Sequence, residues 1–359
     1  MVNVIGFDVG GVNTKAAYVE TDRGSVVSLR TASEYFPVWR RSLDQLPGML
    51  GGLLGQLKGA SRLDGVGFTM TAELSDAYRT KREGVHHILD SMEEILDDVP
   101  GFVLDVYAEL RTVEAARREP LAVAAANWAA TGWMVSQRMR DCIIVDIGST
   151  STSIIPVVDG EIAARGRNDM EKLMNGELVY TGSLRTNIAA IVNSITLRGG
   201  QARVSSELFA QSGDIHLILG NIGEGDYTVD TADGREGTRA EAMARLARVI
   251  CADIEMLGEQ EIVDIAKQVY DEQVEQVAGG LKQVYAGLKP RLKREPPVVV
   301  TGLGREFLAK AAAQRAGFKE IVDLGDAMGD DAALVSPAVG VALITASRIE
   351  GRTVRWMQR

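Results

Sequence analysis

The sequence predicts an α/β protein made of two duplicated halves, and two observations carry that prediction. Apolar runs, Val4-Ile5-Gly6-Phe7 and Ile143-Ile144-Val145, each end in an acid, glycine and hydroxyl turn. The turns are Asp8-Val9-Gly10-Gly11-Val12-Asn13-Thr14-Lys15 and Asp146-Ile147-Gly148-Ser149-Thr150-Ser151-Thr152, followed by β-like runs from Ala16 to Val19 and from Ser153 to Val158. A hairpin with a glycine tip is thus used twice, about one domain length apart. Glycines let the backbone approach an anion, turn N–H groups and hydroxyls donate to phosphate oxygens, and the aspartate can hold a cation or accept a proton. Two halves facing each other across a phosphate-binding cleft are expected.

Composition sets the bounds. With 359 residues, 46% hydrophobic and 25% charged, the chain can fill two cores without staples. A net charge of −10 argues against a generic nucleic-acid or anionic-membrane surface, so any anion site is built locally and any phosphate belongs to a small molecule. Cys142 and Cys251 have no metal-site spacing and are expected to be buried, reduced thiols. No basic-then-apolar leader and no apolar run of about 18 residues occurs, so a cytoplasmic location is expected. No heptad pattern fixes an oligomeric state.

Along the chain, Ser42 to Leu57 and Gly84 to Leu96 have helical spacing, Leu63 to Met70 reads as a buried strand, and Phe102 to Ala108 is strand-like. Pro120 opens an alanine-rich helix expected to run through Met139, proline being suited to a first helical turn. A first domain over 1–139 and a second over 140–359 follow. In the second, Asp159-Gly160 turns the chain into a strand from Glu161 to Arg165, and an irregular, substrate-binding insertion is expected over about 168–290. It ends in helical stretches, Thr238 to Leu257 and Glu259 to Leu288. Pro296 to Thr301 is a β-branched strand running into Gly302-Leu303-Gly304-Arg305 and a helix, a third ligand-binding geometry. A short strand, Ile321 to Leu324, and a small-residue helix opened by Ser336-Pro337 complete the chain.

The Asp8 turn, the Asp146 turn, the Thr301 to Arg305 turn and the Ser336 helix occur in the order of the actin, sugar kinase and Hsp70 superfamily, and the motifs resemble its hydantoinase and oxoprolinase branch. More narrowly, the two turns with Thr69-Met70-Thr71-Ala72-Glu73-Leu74 and Ala126-Asn127-Trp128-Ala129 resemble an archaeal and methylotroph family. In methanogens this is the ether-forming synthase family of methanofuran biosynthesis. The resemblance implies two actin-like domains, each a mixed sheet with flanking helices. It also implies a transferase that joins 5-(aminomethyl)-3-furanmethanol diphosphate to γ-glutamyltyramine and releases diphosphate. ATP is not expected to be consumed. The competing enzyme reading is an ATP-dependent kinase or hydantoinase-like member of the superfamily; a nucleotide-gated regulator is disfavoured by the lack of a peptide-binding domain.

In that reading Gly10, Gly11, Asn13 and Thr14, with Gly148, Ser149, Thr150 and Thr152, donate to the diphosphate, which is electrostatic preorganisation at the leaving group. Asp8 and Asp146 end buried strands beside glycines, and are expected to hold Mg²⁺ against the diphosphate or to cap their own loops. Strand alternation puts Asn13 and Lys15 on one face and Thr14 on the other, so Lys15 is either a site cation or a solvated strand lysine. The loop from Thr71 to Asp76 lies where α/β clefts open, so Thr71 can bind substrate and Glu73 is a candidate base for the phenol. Its alternative is a pair with Arg79, Lys81 or Arg82, themselves either a phosphate clamp or a solvated loop. Arg185, in Tyr180-Thr181-Gly182-Ser183-Leu184-Arg185-Thr186, meets either a substrate anion or a local acid. Gly302, Gly304 and Arg305 would meet adenosine in a kinase relative, or here line the tyramine or glutamyl end; the sequence does not separate the two. Asp230 to Gly234 reads as a turn, His86, His87 and His216 as no metal site, and Trp128 as core.

Overall fold

The computed structural model describes residues 1–356. It divides into two compact units. The first comprises Met1–Cys142, Ile155–Glu171 and the chain from Asp323 on; the second comprises Ile143–Ile154 and Lys172–Val322.

The first unit is built on a mixed six-stranded sheet in the order β3-β2-β1-β4-β5-β6. Its strands are β1 (Val2–Val9), β2 (Asn13–Asp22), β3 (Ser25–Tyr35), β4 (Gly65–Met70), β5 (Gly101–Leu104) and β6 (Leu110–Thr112). β1 pairs antiparallel with β2 and parallel with β4, and is buried on both faces from Val4 onward, as a central strand covered on both sides must be. Ile5, Phe7 and Val9 point to one face and join Leu46, Leu50 and Leu53 of the helix Leu46–Lys58 and Ile88, Leu89 and Met92 of the helix Lys81–Leu96 in one core. Phe7 and Phe68 stack there at 5.5 Å.

Gly6 points to the other face, where the helix Ser336–Glu350 lies. A Cβ at Gly6 would stand 2.2 Å from the Ala338 carbonyl oxygen and 2.5 Å from the Ala342 nitrogen; one at Gly67 would stand 2.1 Å from Thr345 Oγ1. The sheet is bare here so that a helix can rest on its backbone. Gly6→Ala is therefore expected to destabilise the protein by several kcal/mol, at or beyond the usual overpacking cost of about 1–3 kcal/mol. Thermal unfolding of the purified variant measures it.

The second sheet has the order β10-β8-β7-β13-β14, with β9 beside β8. Its strands are β7 (Cys142–Ile147), β8 (Thr152–Val158), β9 (Glu161–Ile162), β10 (Leu178–Val179), β13 (Val298–Gly302) and β14 (Ile321–Asp323). A hairpin of β7 and β8 followed by a parallel β13 on β7 repeats the arrangement of β1, β2 and β4. This is the duplication visible in the sequence. Between β10 and β13 lie a separate hairpin of β11 (Ser194–Leu197) and β12 (Gly200–Arg203), the helices Ser212–Ile218 and Arg239–Arg248, and the 30-residue helix Glu259–Leu288.

Several local expectations are corrected. β3 carries no strong apolar run and was not anticipated; it is the edge strand of its sheet. The Phe102 to Ala108 strand stops at Leu104, because Asp105 turns the chain by accepting from the N–H groups of Tyr107 and Glu109. The Pro120 helix breaks after Val123 and resumes at Asn127, with Ala125 at φ +51°. The helix expected over Thr238 to Leu257 ends at Arg248. Cys142 is buried but Cys251 is exposed, and both are free thiols. No helix among the described residues is long and apolar enough to cross a membrane.

Candidate active site

In the first unit, β1 delivers Asp8 to the edge of the Gly10-Gly11 turn, level with Lys15 on β2 and Thr69 on β4. Its side chain is buried. Gly10 is required by close approach: a Cβ there would stand 2.4 Å from the Asn13 carbonyl oxygen. Strand alternation holds, with Asn13 and Lys15 half-buried and Thr14 buried. The Lys15 ammonium donates to the Leu334 carbonyl at 2.9 Å, so it is anchored on the chain rather than solvated. Among the described residues, the buried hydroxyls of Thr14 and Thr69 have no hydrogen-bond partner. Thr71 donates its N–H to the Val9 carbonyl at 2.9 Å, which sets the Thr71 to Asp76 loop beside the glycine turn.

That loop winds into a short 3₁₀ turn, Ala72–Leu74, and turns Glu73 inward until it is only 1% exposed. Gly84 allows this, since a Cβ there would stand 2.6 Å from Glu73 Cα. Of the three basic residues that follow, Arg79 and Arg82 are exposed, while Lys81 turns in to 3.8 Å from Glu73 Oε1. Burial pushes the Glu73 pKa up from 4.5 to about 7; Lys81 and the N–H groups of Glu73 and Ala125 pull it down without prevailing. The result is a dry carboxyl that changes charge near neutrality, the property a general base needs. The left-handed Ala125 lies near this carboxyl, but neither Glu73 oxygen has a hydrogen-bond partner among the described residues. Trp128, in the helix that resumes at Asn127, is core. His86 and His87 bond to the Arg117 carbonyl and to Tyr78.

The second unit gathers three segments that are far apart in sequence. The Asp146 turn is closed by the Gly148 N–H donating to the Ser151 carbonyl at 3.0 Å. The 180–186 segment clasps it: Ser183 N–H donates to Gly148 O, and the Leu184 and Arg185 N–H groups both donate to Ser149 O, at 2.9 to 3.0 Å. Thr152 Oγ1 donates to the Thr181 carbonyl at 2.7 Å, and Arg185 Nη1 stands 3.4 Å from Thr150 Oγ1. A Cβ at Gly182 would lie 2.5 to 2.7 Å from the Thr150 and Ser151 backbone. From the other side come Gly302, at φ +84° with its Cβ position 2.6 Å from Asp146 Oδ1, and Gly304, whose N–H donates to the Ile147 carbonyl at 3.0 Å. After Gly304 the chain makes one π-helical turn, Arg305–Ala309, a local irregularity common at functional sites.

Sequence reasoning missed what supports this clasp. Gln273, buried on the 30-residue helix, donates through Nε2 to Thr181 Oγ1 and to the Gly182 carbonyl, each at 2.9 Å. Its Oε1 lies 3.1 Å from His216 Nε2, so that nitrogen carries the proton, and Asn221 Nδ2 meets the other ring nitrogen at 3.1 Å. Burial holds the His216 pKa down at about 3, so the ring is a neutral strut. The Asp230 to Gly234 turn is also structural: Asp233 binds Arg245 and Arg248 at 3.2 and 2.5 Å, and Arg245 is buried against Asp214 at 2.8 Å. Among the described residues, no group of three or more His, Cys, Asp or Glu side chains is placed to hold a metal ion.

The hydantoinase/oxoprolinase family profile matches residues 64–348. A protein of Methanocaldococcus jannaschii, named (4-{4-[2-(γ-L-glutamylamino)ethyl]phenoxymethyl}furan-2-yl)methanamine synthase, is 36% identical over 350 residues, covering 97% of this chain and 99% of that one. The chain belongs to this synthase family, within the hydantoinase/oxoprolinase group. A second member of the synthase family, from Methanococcus vannielii, is 37% identical over 224 residues, 62% of this chain and 98% of its own. The nucleotide-free acetone carboxylase structure superposes with a TM-score of 0.56 at 12% identity, over 95% of this chain and 70% of that one. At that identity the likeness concerns fold alone, and the chain shares the two-sheet α/β fold of that structure. The Asp8 turn of this chain lies outside the profile match, and its Glu73, Lys81, Asp146, Arg185, Gly302 and Gly304 lie inside it.

Proposed function

We propose that the protein is a transferase that joins 5-(aminomethyl)-3-furanmethanol diphosphate to the phenol of γ-glutamyltyramine, forming an ether and releasing diphosphate. The observation that carries this reading is the near full-length match to a named synthase. The buried Glu73 supplies the one group the chemistry demands beyond phosphate donors. The bond between the furanylmethyl carbon and the diphosphate oxygen breaks with its electron pair leaving on oxygen; the furan ring delocalises the charge left on carbon. The phenol oxygen bonds to that carbon and its proton passes to a Glu73 carboxylate oxygen. A phenol of pKa about 10 is a weak acid, so transfer is most favourable as the ether bond forms and the phenol proton becomes acidic.

Gly10, Gly11, Asn13 and Thr14 form one donor turn and Gly148, Ser149 and Thr150 another, and each is proposed as a loop that donates to phosphate oxygens. Lys15 and Thr152 are proposed to fix those turns, with Thr71 and Arg185 beside them. Gly302 and Gly304 let their turn pack directly on Asp146 and Ile147, and are proposed to line the acceptor end. Mg²⁺ suits this donor set, because it uses one or two carboxylates together with substrate oxygens and water rather than a protein cage. Asp8 and Asp146 are carboxylates of that kind, each at the edge of a donor turn, and the ion would neutralise charge on the departing diphosphate. Charged small-molecule substrates are consistent with a cytoplasmic location.

Incubating the protein with both substrates and Mg²⁺ is expected to give the ether and one equivalent of diphosphate by mass spectrometry. No ether, together with turnover of Mg·ATP to ADP, would replace this reading by a kinase or hydantoinase-like one.

A further inference from the structure

Glu73 stands at the inner end of a row of three charges. The Lys81 ammonium is 3.8 Å from Glu73 Oε1 and 2.5 Å from Asp169 Oδ2. The Glu73 side chain has no exposed surface, whereas those of Lys81 and Asp169 are 24% and 23% exposed, so the row leads from the interior to solvent. Both outer residues are held in place. Lys81 opens a helix whose Thr80 cap accepts the Glu83 N–H at 3.2 Å. Asp169 sits in a segment pinned by Arg167, whose guanidinium lies 4.9 Å from the centre of the Tyr107 ring and whose N–H donates to Glu171 at 2.7 Å.

We infer that Lys81 and Asp169 are a positioning pair for Glu73, with one ammonium shared unequally between an inner and an outer carboxylate so that the inner one can both take and release a proton. A buried carboxylate with no cation nearby stays protonated and takes no proton; one in full contact with an ammonium stays ionised and is a poor base. Holding Lys81 on Asp169 places Glu73 between these limits, and its pKa of about 7 agrees. The other groups around Glu73 carry little of this. Tyr78 bonds to His87 at 2.7 Å and burial raises its pKa, so it is neutral. Glu83 accepts the Arg79 N–H at 2.9 Å, and Ala125 contributes only a backbone N–H.

The inference rests on the proposed reaction only for its kinetic readout, so two measurements are paired. The Glu73 carboxyl is titrated by NMR in protein carrying ¹³Cδ-glutamate, its signal assigned by loss in Glu73→Gln, and the acid limb of kcat/KM is followed with pH. Lys81→Met is expected to move the Glu73 midpoint up by about one unit or more, the scale of one lost opposite charge. Asp169→Asn is expected to move it down, because the freed ammonium turns to Glu73, and Lys81→Arg is expected to restore it towards the parent value. Shifts of the same sign in Lys81→Met and Asp169→Asn, or none, overturn the pair; if Lys81→Met does not fold, the sign in Asp169→Asn decides alone. Opposite shifts by NMR with an unmoved acid limb uphold the pair and remove Glu73 as the base.

Discussion

Glu73→Gln is expected to lower kcat for ether formation by about 10²- to 10⁴-fold, the usual range for loss of a general base. The same change is expected to make the protein more stable at neutral and alkaline pH. The folded-state pKa of Glu73, about 7, lies above its ordinary 4.5. Between those values the folded protein binds more protons than the unfolded chain, so stability contributed by this group is fully present below pH 4.5 and is lost as pH rises through about 7. Above pH 7 the native state holds a buried charge at a cost of up to about 3 kcal/mol, which glutamine does not incur. Denaturant unfolding at several pH values tests this. The variant should gain on the parent as pH rises from 4.5 to 7, and an equal gain at all pH values would show that burial of charge is not the cause. A gain in stability with loss of activity is the trade expected of a strained catalytic group.

Gly182→Ala is expected to raise the Kd for the furan diphosphate, or for inorganic diphosphate as its analogue, by about 10- to 100-fold, since misplacing a site by about 1 Å costs that much. The argument is steric. Gly182 does not require a left-handed backbone, yet its Cβ position is 2.5 Å from the Thr150 carbonyl carbon and 2.7 Å from the Thr150 and Ser151 nitrogens. Backbone cannot swing aside as a side-chain tip can, so either the Asp146 turn or the clasp must move, and the Thr150 and Ser151 N–H groups are re-aimed in either case. Gly279→Ala is the control. It sits in the 30-residue helix with nothing within 4 Å of its Cβ position, so alanine there should stabilise by about 1 kcal/mol and leave affinity unchanged. Calorimetric titration with diphosphate separates the two.

The duplicated hairpins were legible because each is local: an apolar strand, a glycine tip and a second strand lie within about twenty residues. Glu73 was legible as a candidate for the same reason, standing at the end of a buried strand. Its environment was not. Nothing near Lys81 distinguishes it from Arg79 and Arg82, and its partner Asp169 comes from a segment 88 residues away. The alanine-rich stretch after Pro120 reads as one helix because alanine has the highest helix propensity; one left-handed residue, Ala125, breaks it, which no local pattern records. β3 escaped because an edge strand with no buried residue has no apolar run to announce it. The clasp on the Asp146 turn, made by 180–186 with Gln273 behind it, is entirely non-local.

The bare glycine face of β1 has a consequence for how the chain acquires its shape. Gly6 and Gly67 wait for a helix that begins only at Ser336, so an early sheet is completed by an element made long after it. A contact of such sequence separation is slow to form, because the loop it closes is long. During synthesis the first sheet must remain with one side open while the whole second unit emerges and folds. A fragment stopping at residue 139 lacks the helix altogether and leaves that side wet. The nascent protein is thus most exposed to aggregation before the Ser336–Glu350 helix leaves the ribosome, and closing that seam commits the first unit to its native state.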